Sequence, residues 1–279
     1  MAEFIQLIWS GILNGLCYAL IGLSLVLIFK TARILNFAAG TMAGFTGWFA
    51  WWWATKQGIP FLLAILVAVI MVGIATLLIE RLTIRPLINE NFLSIVTITL
   101  GLEFLVANLA INFFGGRAES FRIPGDIQFK NFEIGGVRFN WWHIVILICT
   151  FIILAIVGYI VNRTELGLAM RAFAEDKDAA RLMGIKESTV SQWTWTLSVT
   201  VGGLTGILFA PVLFLQQDYM NIPFIKGFVA AILGGFTSLS GGVLGGLLLG
   251  ELEAFAVKYA PRQMAAALPV IIVFFILLI

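Results

Sequence analysis

The stretch Phe4–Phe29, FIQLIWSGILNGLCYALIGLSLVLIF, decides the fold class of this chain. It is longer than the roughly 20 apolar residues that a helix needs to cross the hydrocarbon core of a bilayer. No charge interrupts it between Glu3 and Lys30. The flank carries no basic leader and the end no small-residue cleavage site, so the stretch reads as a retained helix rather than a signal peptide. Runs of this length bury every backbone amide within a single helix, which lipid demands. The short alternating segments of a transmembrane barrel do not occur here.

Outward from this first run, comparable apolar segments occupy 34–54, 61–79, 92–114, 142–161, 191–215, 227–257 and 264–279. The whole chain is 61% hydrophobic and 11% charged, against about a quarter charged in soluble domains. The expected fold is therefore an all-α polytopic membrane bundle of about eight segments, residues 1–279 forming one transmembrane domain. The net charge of +2 singles out no partner. Cys17 and Cys149 both lie inside apolar runs, so no disulfide framework is expected. His143 follows Trp141 and Trp142 at the start of a span and reads as an interfacial anchor, and the tryptophans, Trp51–Trp53 included, read as boundary belts.

Two stretches depart from an ordinary span. Asn36–Gly47 (NFAAGTMAGFTG) and Gly227–Gly246 (GFVAAILGGFTSLSGGVLGG) are dense in small residues. Small residues let helix backbones approach closely. They also suit a break in mid-membrane, which is tolerated where it is buried in protein or lines a cavity and which recurs in transporter halves. Both readings stand on sequence alone.

The connection 115–140 predicts an external β-hairpin. Ile127, Phe129, Phe132 and Ile134 lead into Gly135-Gly136, suited to a tight turn, and Val137-Arg138-Phe139 returns. Two other connections, 80–91 and 162–191, lie two spans apart and so share one side. They carry Arg81, Arg85, Arg163, Arg171, Lys177, Arg181 and Lys186 against Arg117, Arg122, Lys130 and Arg138 in the hairpin connection. The positive-inside rule puts the first two in the cytoplasm.

Polar groups within spans are costly and face the bundle interior. Asn14, Asn36, Thr97, Thr99, Glu103 and Asn108 qualify, and Glu103 is either protonated, paired across the bundle, or in contact with water. Glu251 and Glu253 lie towards a segment end and read as interfacial. No cluster of His, Cys and carboxylates suggests an enzyme or a metal site, and no GxxxxGK[ST] phosphate loop is present.

The cytoplasmic loop from Arg163 reads RTELGLAMRAFAEDKDAARLMGIKES. Ala172–Met183 has helical composition, Gly184 follows as a helix terminator, and Arg181 suits the negative end of the helix dipole. Such a helix is either a solvated connector or a docking element. Its residues resemble the coupling loop of ABC importer permeases, in the version found in the branched-chain amino acid permease family typified by LivH and LivM. The matching residues are Arg163-Thr164, Gly167, Ala169, Arg171-Ala172, Ala179-Ala180-Arg181-Leu182 and Gly184-Ile185. Upstream, Gly22–Gly40 (GLSLVLIFKTARILNFAAG) resembles the family's first-span exit and its I-N-F-A-x-G signature. Downstream, Ala230–Gly246 resembles its small-residue stretch. The likeness runs from about Leu13 to the C-terminus and is nearer to LivH-like chains. One departure stands out: Ala39 occupies the place of a histidine common in the family, so no imidazole role carries over.

The resemblance implies a membrane permease subunit of an ATP-driven importer, in the bacterial cytoplasmic (inner) membrane. It implies a LivM-like second permease subunit, two cytoplasmic ABC ATPases holding ATP-Mg, and an external solute-binding protein. It implies no cofactor in this chain, no nucleic-acid partner and no enzymatic activity of its own. By analogy Gly167, Arg171, Glu175, Asp176, Ala180, Arg181 and Gly184 couple to an ATPase. Asn36, with Phe37 and Gly40, lines the substrate path alongside Asn14, Thr97, Thr99 and Glu103. The expected solute is a branched-chain or other hydrophobic amino acid, the alternatives being urea, short amides or a small organic acid. A rival class is an ion-coupled secondary transporter or channel working through Glu103.

Overall fold

A computed structural model describes residues 1–87 and 90–278. Ile88 and Asn89 of the connection 80–91, and Ile279 of the last apolar run, lie outside the described residues. The order of elements is α1 (Ala2–Ala32), α2 (Ala39–Trp51), α3 (Phe61–Ile79), α4 (Phe92–Phe114), β1 (Asn131–Ile134), β2 (Val137–Asn140), α5 (Trp141–Arg163), α6 (Glu165–Glu175), α7 (Lys177–Leu182), α8 (Glu187–Leu213), α9 (Asn221–Gly234), α10 (Leu239–Tyr259) and α11 (Arg262–Leu278).

Six helices among the described residues are long and apolar enough to cross a membrane: α1, α3 with its continuation to Leu87, α4, α5, α8 and α10. The chain is a multi-pass α-helical membrane protein with one small hairpin. Helix α1 is its axis. From Gly15 to Ile28 it is buried on all sides, as an all-round apolar helix must be, and it packs against α8, α9 and α10. Helices α3, α4 and α5 instead turn broad apolar faces outward, with Leu66, Ile74, Phe104 and Phe151 more than half exposed.

The two small-residue stretches resolve in favour of breaks. After α1 closes on Arg33 in the left-handed region (φ 59), residues 33–38 are not helical, and α2 then runs on from Trp51 through a π-turn at Trp52–Lys56. At about 1.5 Å per residue the continuous helix from Ala39 to Lys56 spans about 27 Å, close to the roughly 30 Å hydrocarbon core. The run 227–257 is likewise two helices, parted at Gly235–Ser238, where Gly235 takes φ +81 and the Ser238 side chain caps α10 by accepting from Gly241 N–H. The 14-residue α9 is too short to cross the core. Close packing accompanies these breaks: glycines of α1 (Gly11, Gly15, Gly22) meet those of α10 (Gly242, Gly246, Gly250) and α9 (Gly227) at near-backbone contact.

The hairpin forms with Phe132 opposite Phe139 and Ile134 opposite Val137. Gly135 and Gly136 at φ 61 and 81 give the turn its positive dihedrals. Ile127 and Phe129 are not in the strand; Pro124 at the start of the preceding stretch directs 124–129 into 3₁₀ turns. The connection is tied down elsewhere too, by paired bonds between Glu119 and Leu215 (2.9 and 3.0 Å). Arg138 N–H donates to Gln6 Oε1 at 2.8 Å, so the start of α1 lies at the hairpin end. The carbonyl of Ala32 meets Lys177 Nζ at 3.5 Å, so α1 finishes at the opposite, loop end. Of the tryptophans, Trp48, Trp51, Trp142 and Trp195 are buried in protein rather than arrayed in a boundary belt, and Trp142 and Trp48 donate to the carbonyls of Leu208 and Gln216.

At the loop end a carboxylate is wholly buried. Glu80, in a wide π-turn (Glu80–Ile84) that continues α3, accepts from Ser191 Oγ of α8 at 2.9 Å and pairs with Arg85 at 3.3 Å. Removing it strands the buried Ser191 hydroxyl and unpairs the half-buried Arg85, a loss of about 1–3 kcal/mol. Glu80→Ala is expected to lower the thermal midpoint in detergent, and Glu80→Gln, which still accepts from Ser191, to lower it less. Equal melting of the two would remove the charge from the account.

Candidate functional site

Two cavities and one loop stand out in this fold. Ser10, Asn14, Cys17 and Tyr18 fall at helical spacing on one face of α1. With the start of α5, the end of α8 and the start of α9 they enclose a cavity of about 440 Å³ at the hairpin end. By area its wall is mainly apolar, with Ile146, Phe209 and Ile222, while about half of the lining side chains carry a polar group, Asn14, His143, Gln216, Asp218 and Lys226 among them.

Lys226 sits inside α9, not in a polar connection, and its ammonium pairs with Glu253 of α10. Tyr18 completes the cluster, donating to Glu253 Oε2 at 2.7 Å and accepting from Lys226 Nζ at 3.1 Å. Both charged side chains are largely buried, at 18% and 14% exposure, and Tyr18 lies midway along α1. Glu253 is therefore packed inside the protein, near the end of a helix that runs on to Tyr259 and turns that face to α1 and α9. His143 lines the cavity as well as standing near the boundary. The sequence signal for this triad was weak, because Lys226 adjoins a polar connection and Glu253 lies near a run's end.

A second cavity, about 600 Å³, opens at the loop end among α1, α5, α6 and the start of α10, with Lys30, Arg171 and Ser238 on its lining. Helix α5 borders both: Ile146 lines the first and Leu154 the second. Thr150, one turn from each, is fully buried and its hydroxyl has no partner among the described residues.

Of the residues expected on a substrate path, Asn14 lines the hairpin-end cavity. Asn36, Phe37, Gly40 and Thr99 gather instead around the non-helical link into α2. Asn36 Oδ1 accepts from Ala38 N–H at 3.0 Å, while its buried Nδ2 has no partner among the described residues. Thr99 donates to the Leu35 carbonyl at 3.3 Å, Phe37 packs near Phe228, and a Cβ on Gly40 would come within 2.7 Å of Phe224 Cβ. Thr97 is exposed and bonded to its own helix at Leu93. Glu103 is half-buried on α4, one turn from Thr99. None of these six lines either cavity.

The loop expected to couple forms two helices rather than one. Asp176 leaves helical geometry (φ −149, ψ 112) and its carboxylate caps α7, accepting from the N–H groups of Asp178 and Ala179 at 2.9 and 3.0 Å. A side chain that satisfies free amides favours a new N-terminus over continuation. Thr164 caps α6 in the same way through Gly167 N–H. Gly167 is packed so close to α5 that an added Cβ would lie 2.5 Å from the Val161 carbonyl carbon. Met170, Phe173 and Ala180 are buried towards the bundle, while Arg171, Glu175 and Asp176 are exposed. Gly184, at φ +83, ends the unit. Arg181 bonds Asp178 and Glu187, and the latter carboxylate pushes its already high pKa further up. At the tip Leu182 and Met183 are 88% and 83% exposed. Loss of the Asp176 cap removes about 1 kcal/mol. Asp176→Ala is expected to speed amide exchange across α7 about fivefold, read by hydrogen-exchange mass spectrometry.

The branched-chain amino acid transport system permease component family matches residues 7–279. The high-affinity branched-chain amino acid transport system permease protein BraD of Pseudomonas aeruginosa is 26% identical over 91% of this chain and 86% of its own length. LivH of Escherichia coli K12, with the same description, is 26% identical over 93% and 88%. A probable LivH of Methanocaldococcus jannaschii is 28% identical over 86% and 77%. No solved structure matches. With a family match that runs through the cavities, the charged triad and the capped loop alike, this chain belongs to the branched-chain amino acid transport system permease components.

Proposed function

We propose that the chain, acting as one unit over 1–279, is a membrane subunit of an ATP-driven importer for branched-chain or other hydrophobic amino acids. It works in the bacterial cytoplasmic membrane beside a LivM-like permease, two cytoplasmic ATPases that hold ATP-Mg, and an external binding protein. It hydrolyses nothing itself and uses neither cofactor nor nucleic acid.

The observation that carries this reading is the α6–α7 loop. Its inner face is locked onto the ends of α1, α5 and α8 through Met170, Phe173 and Gly167. Its outer tip offers Leu182 and Met183, apolar residues costly to leave in water. Lys177 joins the loop to the last carbonyls of α1. A push on the tip by closing ATPases therefore reaches the axial helix and α5, which borders both cavities. Alternating opening of those cavities is a two-state balance that such a partner can shift. Asn36, Gly40 and Thr99 serve the path by fixing where α2 begins.

Proteoliposomes holding the chain with its permease and ATPase partners are expected to take up leucine only when ATP and the binding protein are both supplied. Uptake driven by a proton or sodium gradient without ATP would replace this reading with an ion-coupled carrier. Gly184→Val, which forces a branched residue into φ +83, is expected to cut uptake at least tenfold while the binding protein holds leucine as before.

A further inference from the structure

We infer that the hairpin-end cavity is itself a receptor site for a free zwitterionic α-amino acid, with Lys226 taking the α-carboxylate. The inference rests on the importer reading above and adds to it a site, a polarity and a basis for selection within the membrane.

Three observations converge. An ammonium has three donors; Tyr18 OH and Glu253 occupy two of those on Lys226, and the side chain also lines the cavity. One donor is thus left for a ligand, on a charge already held in place by Tyr18 and Glu253. Second, the rim carries Asp218, exposed and without an ion-pair partner among the described residues. A carboxylate at the rim and an ammonium within give the cavity both poles that a zwitterion requires. Third, the remaining wall is largely apolar, and a volume of about 440 Å³ falls within the range of small-molecule sites. A branched aliphatic side chain fills such a wall; urea or an amide leaves it empty and has no charge for Lys226. Because Glu253 already balances Lys226, the pull on an incoming carboxylate is weakened and the site holds its ligand weakly, as a transit site must.

The test uses Val212→Cys, a cavity-wall position 39% exposed, in a Cys17→Ala, Cys149→Ser chain assembled with its partners in nanodiscs without the binding protein. The rate of modification by a charged methanethiosulfonate is measured with added solutes. Millimolar leucine is expected to slow it at least fivefold. Leucinamide, N-acetylleucine, urea and acetamide, each lacking one or both charges, are expected to leave it unchanged. Lys226→Met/Glu253→Gln is expected to erase the protection by leucine, and Lys226→Arg to keep part of it. If the same assembly, moved into proteoliposomes, imports leucine through its binding protein yet leucine gives no protection, the site is wrong and the importer reading stands. If no aliphatic amino acid is imported or protects, both fall. Equal protection by urea or acetamide would overturn the zwitterion assignment alone.

Discussion

Gly246→Leu is expected to prevent the bundle from assembling, with a loss of about 4 kcal/mol or more and no monodisperse peak in detergent chromatography. A Cβ at Gly246 would stand 2.5 Å from Ala19 Cα, and one at Gly15 on the facing helix 2.8 Å from Leu247 Cα. Carbon atoms in contact sit at about 3.5–4.0 Å. The obstacle in each case is main chain, so no rotamer change relieves it and the two helices must part along their length. Overpacking of yielding side chains costs about 1–3 kcal/mol; a rigid backbone on both sides exceeds that. The loss also spreads, because α1 is the helix against which α8 and α9 pack. Gly101→Leu supplies the contrast. That glycine lies on α4 with nothing within 4 Å of its Cβ position, and in an isolated chain the change is expected to be neutral or mildly stabilising through helix propensity. Thermal unfolding followed by size exclusion separates the two, and a Gly246→Leu chain melting like the parent would dissolve the close-packing account.

The same contacts show why some of this was legible in the sequence and some was not. Apolar length is a local property, so runs such as 61–79 and 92–114 appear almost residue for residue as α3 and α4. The density of glycine in 227–246 pointed to close approach or to a break, and the chain uses both: Gly235 turns while Gly242 and Gly246 pack. Sequence could not choose, because glycine has one composition and two uses. The loop 163–187 reads as one helix but forms two for a related reason. Asp176 is compatible with a helix interior until its carboxylate finds two free amides.

The candidate site was harder to see. Polar groups in the middle of apolar runs mark candidate path residues, because lipid excludes them. Thr97 and Thr99 meet that cost locally by bonding carbonyls of their own helix, so their position signals nothing about a path. The pairing of Lys226 with Glu253 is not legible in the sequence, because they are 27 residues apart and each lies near polar sequence. Only the fold of α9 back against α10 brings them together beside Tyr18. A long-range ion pair is a property of topology, and no single run of residues displays it.

That pair gives the second large effect. Lys226→Met is expected to destabilise the protein by about 3–5 kcal/mol, because it leaves the Glu253 carboxylate in the bundle with only the Tyr18 hydroxyl for company. Adding Glu253→Gln to the same chain is expected to restore most of the loss, to within about 1–2 kcal/mol of the parent. A neutral amide can still accept from Tyr18, and burial of two opposite charges gains little net energy over a neutral pair of similar size. Thermal midpoints of parent, both single variants and the double variant form a cycle whose coupling reports the pair itself. Near-additive midpoints would mean that water in the cavity already solvates both groups, and that the interior charge is not a structural element. The cycle also bears on why such a pair exists here. If the double variant folds as well as the parent, stability does not explain a lysine and a glutamate at this depth. The remaining role is recognition at the cavity wall, where a folded but neutral variant is expected to stand assembled and import nothing.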